Sequence, residues 1–188
     1  MSEPTNDNEF HLLQGLKAGD EAAFAAIYRQ YWQQLFFVAF KRLQSADDAK
    51  EIIQEVFLTL WQKRETLEIQ SLPLYLSAMT RYAVYRATAN RQRAQVLLAK
   101  VAAPKEIAAI DLDNRQLLEI LHRFSNELPE KHRLVFVHHK MLDRPLEEVA
   151  GMLGVSVRTA EGYSAKVMDF MRRRRKQLAL SALPFFFF

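Results

Sequence analysis

Apolar residues recur at steps of three and four along almost the whole chain, and no stretch alternates as a half-buried strand would. That period confines the chain to packed helices. Phe24, Ile27, Tyr28, Tyr31 and Leu35 form one stripe, which Val38 and neighbouring aromatics extend. After the polar break at Gln44-Ser45-Ala46, a second stripe runs through Ala49, Ile52, Ile53, Val56, Phe57, Leu60 and Trp61. Asp20 stands where the first of these helices needs an N-cap, and Ser45 or Asp47 where the second does. Glu65–Pro73 reads as a loop closed by Pro73, and a further helix is expected from about Leu74 to Arg91. Only 5 Gly and 6 Pro occur in 188 residues, so few points force such helices to end.

The pattern lapses once. Arg93 to Asp111 is rich in Ala, contains Pro104 and lacks a sustained apolar face, which reads as a linker, with room for a short helix near Val96 to Val101. The expected architecture is all-α: an N-terminal helical domain over 10–92, a linker over 93–111, a C-terminal helix-turn-helix domain over 112–177 and a hydrophobic tail over 178–188. Charge divides the same way. Residues 1–92 carry 10 Lys and Arg against 11 Asp and Glu, whereas residues 115–188 carry 13 against 8. A basic C-terminal part suits a polyanion. Taken alone, the run Arg172-Arg173-Arg174-Arg175-Lys176 reads equally as a solvated helix end. Cysteine is absent, which removes disulfides and thiolate metal sites and suits a reducing compartment. The polar, acidic start MSEPTNDNEF is unlike a secretory signal, and no apolar run approaches the roughly 20 residues of a bilayer span.

The sharpest local pattern begins at Pro145. Pro suits the first turn of a helix, whose inner face would be Leu146, Val149, Ala150 and Leu153. Gly154 falls where that helix must stop and turn. Val155 can plug the gap between two crossing helices, and Ser156 can cap the second, with Thr159 at its third position. Ala160, Tyr163, Val167 and Phe170 would then face inward. This is the pattern of a helix-turn-helix, whose second helix enters the major groove. The residues left for DNA are Ser156, Arg158, Thr159, Glu161, Gly162 and Lys166. Arg158 has the reach and fork geometry for guanine or phosphate. An ordinary helical hairpin is the plainer alternative.

Enzymatic chemistry finds no support. The chain has no phosphate-binding Gly loop, no nucleophile elbow and no metal motif. His132, His138 and His139 lack ligand spacing, and Glu147-Glu148 reads as a first-turn pair favoured by the helix dipole. No catalytic residue, metal or cofactor is therefore expected.

Two segments together carry a resemblance. GDEAAFAAIYRQYWQQLFFVAFKRL from Gly19, followed by SADDAKEIIQEVFLTLWQKR from Ser45, resembles the first domain of the extracytoplasmic-function sigma factors of the sigma-70 family. LPEKHRLVF from Leu128, with the helix-turn-helix after it, resembles their promoter-reading last domain. The likeness covers about Leu12 to Arg175. It implies a subunit that carries core RNA polymerase to promoter DNA. It further implies that Asp47, Asp48, Glu51, Gln54, Glu55 and Leu58 dock on polymerase. Helical spacing allows Asp47, Glu51 and Glu55, or Asp48 and Glu55, to form an acidic ridge beside Leu58, although without the resemblance a solvated acidic face would be the simpler reading. The loop and helix that follow would recognise and melt the minus-ten element. There Tyr75, Arg81, Tyr82, Tyr85, Arg86, Arg91 and Arg93 interleave rings with cations, as suits single-stranded DNA, although Tyr75 or Tyr82 could equally belong to a core. The chain departs from the family where an Asn follows the Arg and an Asp follows four residues later: it has Tyr82 and Arg86. No promoter sequence is therefore carried over.

Two functions follow from different classes. One is a non-enzymatic, cytoplasmic sigma factor with core RNA polymerase and promoter DNA as partners, no small-molecule substrate, and, as the resemblance implies, an anti-sigma partner that is often membrane-bound. The other is a stand-alone helix-turn-helix regulator with an N-terminal sensor or dimerisation domain. Gln54-Glu55-Val56-Phe57 and the Tyr/Arg-rich helix favour the first. The tail, LALSALPFFFF, is too short to span a membrane and suggests an apolar segment that docks in a groove.

Overall fold

A computed structural model describes residues 4–99, 121–122, 124 and 126–177, with side chains over 8–95, 121–122, 124 and 126–173. Every regular element among the described residues is helical. The N-terminal half consists of α1 (Pro4–Lys17), α2 (Glu21–Leu43), α3 (Ala46–Lys63) and α4 (Leu72–Ala99). In the C-terminal half, α5 (Glu130–Val135) continues into a π-helical turn, Phe136–Met141, and is followed by α6 (Leu146–Met152) and α7 (Val157–Gln177).

Local chemistry accounts for the helix limits. The Asp20 carboxylate accepts from the Ala22 N–H at 2.8 Å and starts α2. Ser45, not Asp47, caps α3, accepting from the Asp48 N–H at 3.3 Å. Gln44, at φ 53, ends α2 in a left-handed turn whose N–H returns to the Phe40 carbonyl. Gly15 is required by packing, because a Cβ there would lie 2.7 Å from that of Ala23 and push α1 off α2.

One hydrophobic cluster runs through both halves. Ile27, Leu35, Ile53, Leu60, Leu72 and Leu76 share it with Leu121, Phe124, Phe136, Met141 and Val167. A smaller cluster of Val135, Val149, Ala150 and Ala160 holds the helix-turn-helix together, with Leu146, Leu153, Val155 and Tyr163 packed on it. Phe136 is fully buried, its ring 5.1 Å from that of Phe124.

Three boundaries differ from expectation. The N-terminal domain was expected to begin at residue 10, yet α1 begins at Pro4 and contributes a structural contact: the Glu9 carboxylate accepts the N–H of Leu72, one of the unpaired donors at the start of α4. Burial raises the Glu9 pKa, and that hydrogen bond partly offsets the rise. Second, α4 starts at Leu72, so Pro73 sits inside its first turn and does not close the loop. Third, α4 continues unbroken to Ala99, so residues 93–95 of the expected linker are helical and the short helix expected from Val96 is, as far as Ala99, the end of α4. The rest of that linker and the tail over 178–188 lie outside the described residues.

Candidate polymerase and DNA interfaces

Helix α3 divides the six residues assigned to polymerase. Asp47, Glu51, Gln54 and Leu58 are exposed and fall within one narrow stripe by helical spacing. Leu58 is 55% exposed, an apolar side chain set among polar ones. Asp48 and Glu55 occupy the edge nearest α4. Asp48 pairs with Arg91 at 2.5 Å, and Glu55 lies 4.0 Å from Arg86. The Arg91 contact and the Ser45 hydroxyl hold the Asp48 carboxyl below the usual carboxylate range.

Helix α4 carries the side chains expected at the minus-ten element, and three of the seven are buried. Tyr75 is 2%, Arg81 2% and Tyr82 7% exposed. Tyr75 and Tyr82 are members of the core cluster, so in this arrangement neither ring is open to a base. Tyr85 is half-buried, whereas Arg86, Arg91 and Arg93 are exposed. The C-terminal half meets α4 at Arg81. Arg81 donates from Nε to the Met141 carbonyl at 3.1 Å and from Nη2 to the Lys140 carbonyl. It also lies 3.4 Å from the Asp143 carboxylate.

The helix-turn-helix takes the form its residues suggested. Gly154 has φ 62, the left-handed conformation that ends α6. The Ser156 hydroxyl accepts from the Thr159 N–H at 3.1 Å and lies 2.8 Å from the Thr159 hydroxyl. Ser156, Arg158, Glu161, Gly162 and Lys166 are exposed; Thr159 is half-buried beneath them. A Cβ at Gly162 would meet nothing within 4 Å, so no contact inside the described structure demands glycine there. On the inner side Ser164 and Met171 are buried as well; the helical period would have found both.

The three C-terminal histidines are packing residues. The His132 ring lies tilted against that of Tyr163, centroids 4.3 Å apart, and His139 shares a hydrogen bond with the Arg144 carbonyl at 2.9 Å. Burial and the nearby Arg144 draw the His138 pKa down to about 4, against a smaller opposing effect of Glu148. Among the described residues no group of three or more His, Asp or Glu is placed to hold a metal ion. No described helix is long and apolar enough to cross a membrane.

Two surfaces escaped the reading of the sequence. Trp32, Phe36 and Phe40 stack along α2, with successive ring centroids 5.3 and 5.9 Å apart and nearly parallel planes. Their four-residue spacing could have announced them. Phe37, on the neighbouring face, is 58% exposed. Lys41 and Arg42, at the end of α2, lie beside Asp143. No local signal marks that meeting.

A helical first half joined to a capped helix-turn-helix with an outward basic face defines a DNA-binding protein of transcription. Residues 27–94 match the family described as Sigma-70 region 2, and residues 118–164 match Sigma-70, region 4. These two matches span more than half of the chain, which belongs to the extracytoplasmic-function sigma factors of the sigma-70 family. It is a sigma factor in transcription initiation, with core RNA polymerase and promoter DNA as its partners. Among solved structures it is similar to CnrH, in the structure of CnrH in complex with the cytosolic domain of CnrY. The identity is 16% over 86% of this chain and 93% of that one, with a TM-score of 0.43. No curated protein sequence matches it.

Proposed function

We propose that polymerase docks on the exposed stripe of α3, that α4 receives the melted minus-ten strand, and that α7 reads the upstream element. The observation that carries this reading is Leu58, exposed between Gln54 and the carboxylates of Glu51 and Glu55. An apolar centre with an acidic rim is a surface for a basic, partly apolar helix pair. Asp48 and Glu55 lie at its margin, where they hold Arg91 and Arg86 of α4. The protein acts by binding alone, without catalysis, in the cytoplasm. Exposed Phe37 and Leu58 supply the kind of apolar surface that an anti-sigma partner would cover.

The test is association with purified core polymerase. Glu51→Lys combined with Leu58→Ala should weaken association, because it reverses one charge of the stripe and removes its apolar centre. Helicity should persist, since both side chains face solvent. An unchanged affinity in the double variant would remove α3 as the docking helix.

A further inference from the structure

The polar seam between the two halves is built at one end of a helix. The last carbonyls of a helix have no N–H partner within it and carry the negative end of its dipole. At the π-helical turn those carbonyls, of Lys140 and Met141, are met by Arg81 from α4. The residue just beyond the turn but one is Asp143, at φ 53, a left-handed backbone that Asp and Asn tolerate better than other non-glycine residues.

Asp143 places a single carboxylate among cations of the N-terminal half. One oxygen is 3.4 Å from Arg81, and the other is 3.7 Å from Lys41. Arg42 is close enough for Asp143 to offset part of the effect of its burial. Burial draws the Arg81 pKa down to about 10; Arg42 adds to the fall and Asp143 opposes it. Flanking hydrogen bonds tie the same two segments: Gln34 donates to the Leu142 carbonyl at 3.4 Å and accepts from Arg144 at 3.3 Å. Three cations drawn from two helices around one carboxylate form the arrangement in which proteins hold a phosphate oxygen. Arg81 belongs to the helix read above as receiving the melted strand. The recognition residues of α7, Arg158 and Lys166, stay exposed in the same arrangement.

We propose that Lys41, Arg42 and Arg81 form a binding site for a backbone phosphate of promoter DNA, and that Asp143 occupies it in the closed chain as an internal competitor. The closed chain can offer α7 to duplex DNA while withholding α4 from the single strand. Opening exchanges a tethered carboxylate for a phosphate and uncovers Arg81. This rests on the reading of α4 as the minus-ten helix.

The chain contains no cysteine, so introduced thiols are the only ones to react. In the full chain, Gln34→Cys with Arg144→Cys allows a short, cleavable bis-maleimide to fasten the seam. Asp143→Asn instead removes the carboxylate charge with a residue that suits the left-handed turn. The probe is a fluorescein-labelled, mixed-sequence single-stranded DNA, with small-angle scattering as a parallel readout of compaction.

Asp143→Asn should expand the free protein and tighten single-strand binding by about tenfold, the change produced by raising a minor open population by that factor. The cross-linked protein should bind the strand at least as many times more weakly than after cleavage. Binding of α7 to a duplex should change in neither. An unexpanded Asp143→Asn variant with unchanged binding would overturn the latch. Expansion without a gain in binding would overturn the phosphate site and trace the failure to the reading of α4. Should Asp143→Asn fail to fold, the cross-linked pair decides: equal binding before and after cleavage overturns the proposal.

Discussion

The two candidate DNA surfaces of this protein are presented in opposite states. On α7 the recognition residues stand in solvent, on a helix started by its own Ser156 cap and backed by a small private cluster. On α4 Tyr75 and Tyr82 are buried in the core, Arg81 is held by the other half of the chain, and the exposed cations Arg86 and Arg91 lie against carboxylates of α3. The difference is one of range. The start of α7 rests on contacts within the C-terminal half, with Val135, Val149 and Ala150 behind Ala160, so its exposed face does not depend on the N-terminal half. The α4 surface depends on residues some sixty positions away, so its availability follows the arrangement of the halves.

The largest way to break that contrast is to hollow the hydrophobic cluster that runs through both halves, at its fully buried Phe136. Phe136→Ala should cost about 3–5 kcal/mol, the range for a buried Phe whose space cannot fully collapse. It should also detach the C-terminal half from α4 before the N-terminal half unfolds. Urea unfolding, followed by circular dichroism with limited proteolysis alongside, measures both. A loss well under 1 kcal/mol would mean that Phe136 does not bind the halves together.

A second variant sharpens the contrast from the exposed side. Arg158→Ala should weaken specific promoter binding by about 1–3 kcal/mol if its contact is bidentate to a base. Association with core polymerase should be unaffected, because Arg158 lies on the helix-turn-helix and far along the chain from α3. Electrophoretic titration on specific and random duplexes separates the possibilities: equal losses on both would make Arg158 a phosphate contact.

The smallest effect concerns the local origin of α7. Ser156→Ala removes the hydroxyl that satisfies the Thr159 N–H and should cost about 1 kcal/mol. Because the cap is local, hydrogen exchange should rise in the first turn of α7 and stay unchanged along α4. Faster exchange in α4 would show that the two surfaces are coupled after all.

Legibility followed the same division by range. The stripes of α2 and α3, the Asp20 and Ser156 caps and the turn at Gly154 were readable because each rests on residues a few positions apart. The stripe of α3 was also readable, but the partners at its edge were not: Asp48 and Glu55 meet Arg91 and Arg86 only through the packing of α3 on α4. The α1 helix was missed because its partner, the N–H of Leu72, is 63 residues away. Tyr75 and Tyr82 match both a core and a base-stacking surface in sequence, since aromatic rings at helical spacing serve either.

The sequence by itself therefore determined α2, α3 and the helix-turn-helix, the Asp20 and Ser156 caps, and the family to which they belong, through periodicities and hydrogen bonds that span one or two helical turns. Only the tertiary structure decided which cations stand in water and which are covered. Arg81 reads in the sequence as one more surface cation of α4. It is buried because the carbonyls that end the π-helical turn and the Asp143 carboxylate arrive from the other half of the chain, and a charge enters a protein interior only where such partners meet it.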